Sequence, residues 1–255
     1  MAEVVIVPDA SAAGELVADA IASLVRRSPD AVLGFATGST PLSSYAALAA
    51  RSLDLSRVRG FALDEYIGLP DGHPESYRAV ISREVVEPLG LTPSRVQVPG
   101  SGPIETAGDD YERAIVAAGG VDLQLLGIGT DGHIAFNEPG SSLASLTRIK
   151  TLTEQTRRDN SRFFDSIDAV PRHCITQGLG TILRARHLVL LAFGGHKAGA
   201  IAASVEGPLS ANVPGSVIQL HPHVTVIVDE AAASDLVHAD YYRYAWANKP
   251  EWEGL

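Results

Sequence analysis

Asp131, His133 and Glu138 fall within eight residues in the segment Gly127-Ile128-Gly129-Thr130-Asp131-Gly132-His133-Ile134-Ala135-Phe136-Asn137-Glu138-Pro139. A carboxylate beside a histidine fixes the ring's tautomer, and a second can hold its orientation, so the trio suits proton transfer. A lone histidine is usually structural; one bracketed by two carboxylates in a glycine-rich loop points to chemistry. A metal site competes, but Asp131 and His133 are the only obvious close ligands. Asp64-Glu65-Tyr66 offers two adjacent carboxylates. They suit a general base beside a supporting acid, or equally a helix cap or an arginine partner. Thr37-Gly38-Ser39-Thr40-Pro41 supplies hydroxyls and a glycine ahead of a helix, with Pro41 placed as its first residue. That arrangement makes an anion site, or an ordinary strand-to-helix turn. It matches neither a Walker A loop nor GxGxxG. Gly194-Gly195-His196-Lys197 puts a lysine at a helix start, which is unfavourable dipole chemistry unless an anion meets it there. Lys197 then binds phosphate or simply faces solvent. A Schiff-base role is not favoured, because nothing nearby in the sequence looks desolvating.

Each segment follows an apolar run. The runs at Val4–Val7, Ala31–Ala36, Val58–Leu63, Arg95–Val98, Val121–Gly127, Leu188–Phe193 and Val224–Val228 predict strands covered on both faces. Helical stretches lie between them. The clearest is Ala10–Arg27, with Leu16, Val17, Ala20, Ile21, Leu24 and Val25 on one face and Asp9 or Ser11 as cap. Alternation of this kind predicts a single α/β domain over residues 1–255. Its core is an open, mostly parallel twisted sheet with helices on both faces. Ligands of such sheets bind at the carboxyl ends of the strands, which is where the four segments fall.

The chain has 255 residues, 45% of them hydrophobic, enough for a substantial core. A net charge of -10 argues against nucleic-acid binding and requires that an anionic ligand be held by local groups. No apolar run is long enough to span a membrane, and MAEVVIVPDA does not read as a signal peptide. The single cysteine, Cys174, excludes a disulfide framework. It reads as a small buried residue or a peripheral thiol. A reducing cytoplasm is expected. The aromatic stretch Tyr241–Trp246 packs on the core or on a neighbouring subunit.

Together the four segments resemble the glucosamine-6-phosphate deaminases over nearly the whole chain. The sharpest likeness is DGHIAFNEPGSSLASLTRIKTLT with the following SRFF of Ser161–Phe164, supported by LDEYIGL and HKAGAIAASVEG. The resemblance implies the open sheet shared with sugar-phosphate isomerases and lactonases. It also implies an amino-sugar-isomerising hydrolase of amino-sugar catabolism, which turns glucosamine 6-phosphate into fructose 6-phosphate and ammonia. By position, Asp64 resembles the base that moves a proton from C2 to C1, and His133 the ring-opening residue. Asp131 and Glu138 resemble the carboxylates that orient it. Thr37, Gly38, Ser39 and Thr40, with Arg162 and Lys197, resemble the phosphate pocket. Arg157 and Arg158 read as a solvated face. Every step is proton transfer on a bound polyol, so the resemblance implies no cofactor and no metal. Ser141, Ser142, Arg148 and Lys150 resemble the site at which N-acetylglucosamine 6-phosphate activates hexameric bacterial members. The same residues suit a surface loop of a non-allosteric homo-oligomer.

Three other readings compete. A sugar-phosphate lactonase shares an Asp-Gly-His loop, but needs no base at C2, and AFNEP favours the deaminase. A sugar-phosphate sensor would carry a DNA-binding segment, which the sequence lacks. A deaminase for the galactosamine epimer differs only in contacts at C4.

Overall fold

The computed structural model describes residues 2–250 and 252–255. Each predicted apolar run becomes a strand, with ends shifted by no more than two residues. The resulting parallel sheet has the order β1 (Glu3–Val7), β10 (Val224–Asp229), β9 (Leu188–Ala192), β6 (Leu123–Leu126), β2 (Val32–Phe35), β3 (Arg59–Ala62) and β5 (Val96–Gln97). Every residue of β2, β6 and β9 is buried, as strands covered on both faces must be. The main core draws on residues from Val4 to Tyr242.

Helix α1 (Ala10–Arg27) has the predicted bounds, and Asp9 rather than Ser11 caps it by accepting the Ala12 N–H at 2.9 Å. Its deepest stripe is Ala13, Val17, Ala18, Ile21 and Val25, while Leu16, Ala20 and Leu24 are half-buried. Small residues on that stripe let α2 (Leu42–Ala50) lie close against it. Pro41 precedes α2 by one residue. Helices α3 (Tyr77–Ile81), α4 (Glu87–Leu89), α5 (Ala107–Ala117), α6 (Glu154–Asn160), α7 (Leu179–Ile182), α8 (Ala198–Val205) and α9 (Ala239–Ala247) follow. Tyr242 and Trp246 pack α9 onto the core, whereas Tyr241 and Tyr244 face outward. No helix among the described residues is long and apolar enough to cross a membrane.

The strand order locates the functional edge. From β2 the chain runs outward through β3 to β5, then returns to the other side of β2 as β6 and continues to β9 and β10. Loops leaving β2 and β6 therefore diverge, which opens a crevice at their carboxyl ends.

A second sheet corrects the sequence reading. Asp64–Ile67 is not a loop but strand β4, separated from β3 by Leu63 alone. It pairs antiparallel with β8 (His173–Thr176), which pairs in turn with β7 (Arg148–Thr151). Asp64 stands opposite Thr176, and Gln177 N–H donates to the Leu63 carbonyl at 2.8 Å. Beneath this sheet lies a smaller cluster of Tyr66, Phe136, Leu152, Val170 and Cys174. Cys174 is thus a buried packing residue.

Glu112 on α5 ties the small sheet to the body. Its carboxylate accepts the Thr147 N–H at 2.9 Å and the hydroxyls of Thr147 and Thr181 at 2.5 and 2.6 Å, and it pairs with Arg184. Burial opposes its charge, but these hydrogen bonds outweigh the penalty and hold its pKa below the ordinary glutamate value. Glu112→Ala leaves several donors unmet and is expected to cost on the order of 2 kcal/mol in urea unfolding at neutral pH. A depressed folded pKa gives stability above the unfolded pKa that is lost as pH falls. The mutational cost should therefore shrink in acid. A cost that is independent of pH would rule out the charged network.

Candidate active site

The loops after β2, β6 and β9, the start of β4, helix α3 and the segment 156–163 enclose one cleft of about 500 Å³. Thr37, Gly38, Ser39, Thr40, Asp64, His133, Arg162 and Lys197 all line it, although they span more than half the chain. Gly38 has φ +89°, a conformation that a side chain would strain, and this bends the backbone at the head of α2 around the cleft.

In the β6 loop, His133 Nδ1 lies 2.6 Å from Asp131 Oδ1, and the same oxygen accepts the His133 backbone N–H at 3.1 Å. That pairing places the proton on Nδ1 and leaves Nε2 for a ligand. Burial opposes the Asp131 charge, but the hydrogen bonds and charge of His133 outweigh it and lower the Asp131 pKa. Glu138 Oε2 is 3.8 Å from Nδ1, while its Oε1 accepts the Thr153 N–H at 3.0 Å. Asp131 and Glu138 thus stand behind the ring rather than lining the cleft. A Cβ on Gly129 would fall 2.2 Å from the ring, so only glycine lets the imidazole lie where it does. Ala135, next along the loop from Ile134, has φ +50°, an uncommon conformation for a residue with a side chain.

Asp131, His133 and Glu138 offer potential metal-ligand atoms within 4.8 Å of one another. The Asp131–His133 contact, however, has the length of a hydrogen bond and uses the nitrogen that a cation would need.

The two carboxylates of β4 divide the roles that the sequence left open. Glu65 is the structural one, accepting the backbone N–H groups of Tyr66, Tyr77 and Arg78 at 2.7, 2.8 and 2.8 Å. It therefore caps the start of α3 alongside Ser76. Asp64 is 5% exposed and, among the described residues, has no ion-pair partner. Burial, reinforced by the Glu65 charge, raises its pKa to about 8 against the pull of the Phe136 N–H.

Lys197 forms the N-cap of α8 and is half-buried. The absence of desolvation expected from the sequence is corrected here: burial lowers the Lys197 pKa, with Asp159 opposing and Arg162 reinforcing the shift. Arg162 is exposed, its guanidinium 4.7 Å from the Phe163 ring centroid. Neither cation makes an ion pair among the described residues. Arg158 pairs with Glu154 on a solvated face as expected, but Arg157 does not. Its guanidinium donates to the carbonyls of Val170 and Ile167 at 3.2 and 2.7 Å, bracing its own segment.

Ser141, Ser142, Arg148 and Lys150 do not line the cleft. Ser141 is buried and its hydroxyl has no hydrogen-bond partner among the described residues, so a surface loop does not describe it. Ser142 is exposed, and Lys150 is half-buried. Arg148 donates to Asn137 Oδ1 at 2.8 Å. Tyr77 and Asn160 line the cleft and went unnoticed in the sequence. Asn160, two residues before Arg162, could have been found from that spacing. Tyr77 had no local signal, because only the β4–α3 connection brings it back.

A family model described as glucosamine-6-phosphate isomerases/6-phosphogluconolactonase matches residues 9–227. A glucosamine-6-phosphate deaminase of Bifidobacterium longum subsp. infantis is 61% identical, with all of both chains covered. One from Streptomyces avermitilis is 63% identical over 99% of this chain and all of its own. Among solved structures, a monomeric glucosamine-6-phosphate deaminase superposes with TM-score 0.88 at 38% identity, covering 91% of this chain and 99% of that one. A 6-phosphogluconolactonase from Thermotoga maritima gives TM-score 0.73 at 21% identity, covering 90% and 99%, a likeness of fold alone. The chain belongs to the glucosamine-6-phosphate isomerase/6-phosphogluconolactonase family, on its glucosamine-6-phosphate deaminase branch.

Proposed function

We propose that the protein converts glucosamine 6-phosphate and water into fructose 6-phosphate and ammonia by general acid–base catalysis. The observation that carries this reading is the pairing, in one cleft, of a buried uncompensated carboxylate and a tautomer-fixed histidine with two unpaired cations. The close deaminase relatives favour the same substrate.

The Thr37–Thr40 loop, Lys197 and Arg162 hold the phosphate. Arg162 grips it with a planar fork, and Lys197 contributes a point charge. Fixing that end of the sugar removes much of the entropic cost of aligning C1 and C2 with the proton-transfer groups. His133 Nε2 opens the pyranose by taking the O1 proton and returning it to O5, while Asp131 stabilises the transient imidazolium. Asp64 removes the proton from C2, giving an enolamine, and delivers it to C1. The C2 iminium that results adds water, and ammonia leaves as the ketone forms. A carboxyl group with its pKa near 8 is well matched to this shuttle, since it both accepts and releases the proton near neutrality. The chain acts as one α/β unit in the cytoplasm.

A site for N-acetylglucosamine 6-phosphate at Ser141, Ser142, Arg148 and Lys150 is a separate proposal, with a hexameric homo-oligomer as its setting. Arg148 would have to share or leave its bond to Asn137. Sigmoidal substrate saturation made hyperbolic by the acetylated sugar supports it; hyperbolic saturation indifferent to that sugar removes it.

The reaction is tested by a coupled assay on purified protein with a metal chelator present. Equal release of ammonia and fructose 6-phosphate is expected, whereas hydrolysis of 6-phosphogluconolactone without deamination would overturn the assignment. Asp64→Asn should lower kcat by roughly 10²- to 10⁴-fold while sugar-phosphate binding survives. Lys197→Ala should chiefly raise KM. In the native protein kcat/KM should rise with pH towards about 8 as Asp64 loses its proton. The same shift has a stability sign. A carboxyl whose folded pKa is raised destabilises the fold increasingly as pH climbs from the unfolded to the folded pKa. Asp64→Asn should therefore gain melting temperature over the native protein, more so at about pH 9 than at about pH 5. An equal difference at both would contradict an uncompensated buried carboxylate.

A further inference from the structure

Two phenols, the buried Tyr66 and the half-buried Tyr77, join opposite walls of the cleft. Asp64 and Tyr66 are two residues apart on β4, so their side chains share a face. The Tyr66 ring packs against Tyr77 and Phe136 with centroids 4.8 and 5.5 Å away, and meets Phe164 edge-on at 5.6 Å. Its hydroxyl accepts a hydrogen bond from Asn160 Nδ2 at 2.9 Å, and the Tyr77 hydroxyl lies 3.5 Å from it. Tyr77 and Thr37 both line the cleft. A polar path thus runs from Tyr77, which lines the same cleft as the Thr37–Thr40 loop, through Tyr66 to Asn160.

The far end of this path is the segment that carries Arg162. Arg157 braces the start of that segment onto Ile167 and onto Val170 of the small cluster. Asn160 and Phe164, two residues before and two after Arg162, both land on Tyr66. Phe164 also stacks on His73 at 5.8 Å. Arg162 itself is exposed; its guanidinium lies over the ring of its neighbour Phe163 and, among the described residues, has no hydrogen-bond or ion-pair partner. The position of the guanidinium is therefore set by where its flanking residues are held.

We infer that Tyr66 is a positioning residue: it keeps the Arg162 segment in register with the Thr37–Thr40 loop, and so sets the grip on the substrate phosphate without touching a reacting atom. The inference rests on the reading of Arg162 as a phosphate ligand. It separates the two carboxyl-side duties of β4, since Asp64 acts on the sugar carbons while Tyr66, on the same face, governs the phosphate end. Tyr66 matters through one directed bond, because its ring alone would still fill the aromatic cluster.

Tyr66→Phe keeps the ring and removes the bond to Asn160. It should raise KM, and the inhibition constant for inorganic phosphate, roughly three- to tenfold. The pH profile of kcat should stay unchanged. Asn160→Ala breaks the same bond from the partly exposed side and should reproduce the effect, even if the core substitution folds poorly. In an Arg162→Ala background, Tyr66→Phe should add nothing to either constant, because the group it positions is gone. Full additivity in that background would overturn the inference. So would a shift of the kcat pH profile at unchanged KM, which would assign Tyr66 to Asp64 instead. If Arg162→Ala alone left KM and phosphate inhibition unaltered, the phosphate role of Arg162 would fall and the inference with it. A silent Tyr66→Phe against a disabled Arg162→Ala would overturn only the positioning role.

Discussion

Parallel pairing of the seven strands of the main sheet constrains everything else in this molecule. Strands that run the same way must be joined by crossovers, and the helices of those crossovers cover the sheet. The strand interiors then become apolar packing surface, as in β9, where all five residues are buried. Polar chemistry is excluded from the strands and has to sit where they end. Because all the strands end on one edge, segments from Thr37 to Lys197 arrive at one cleft without any contact in sequence.

In this acidic chain the cleft keeps its positive and negative groups apart. At one end, Lys197 and Arg162 have no ion-pair partner among the described residues, and a glycine-bent loop meets the head of α2. At the other, Asp64 is buried with no cation to neutralise it. Pairing Asp64 with an arginine would stabilise the fold but lower its pKa and leave it a much weaker base. Asp131 is treated in the opposite way: its hydrogen bonds to His133 keep it charged. Three carboxylates within the same small volume thus differ in function because their partners differ, Glu65 being satisfied by three backbone N–H groups.

The small antiparallel sheet does work that the main sheet does not. It turns the chain just past β3 so that Asp64 points into the cleft instead of following the strand outward. Asn137, fully buried, donates to the carbonyls of Ile134 and Gln177 at 3.0 and 2.8 Å and accepts from Arg148. The His133 loop is thereby pinned to β7 and to the residue after β8. Glu112 anchors the same sheet from α5. Asp64 and His133 rest on this frame, while Lys197 and Arg162 stand on separate segments of the cleft lining.

By itself, the sequence determined the strands of the main sheet, the bounds of α1 and the segments that carry chemistry. Continuous apolar runs and dense motifs are local signals. It did not determine the small sheet. In β7, Arg148 and Lys150 are half-buried while Ile149 faces out, 45% exposed, the reverse of the usual alternation. Such an edge strand reads as a polar loop until Asn137 and β8 supply its partners. Nor could adjacency distinguish Asp64 from Glu65, since two neighbouring carboxylates on a strand point to opposite faces and meet different surroundings. Arg157 and Arg158 are likewise neighbours with different fates, one bracing the backbone and one in solvent. Residue type and spacing chose which groups could act. Burial and hydrogen-bond partners, which depend on contacts between residues far apart in the chain, such as Asp64 and Thr176, decided which of them are charged, which are held, and which are free to meet a ligand.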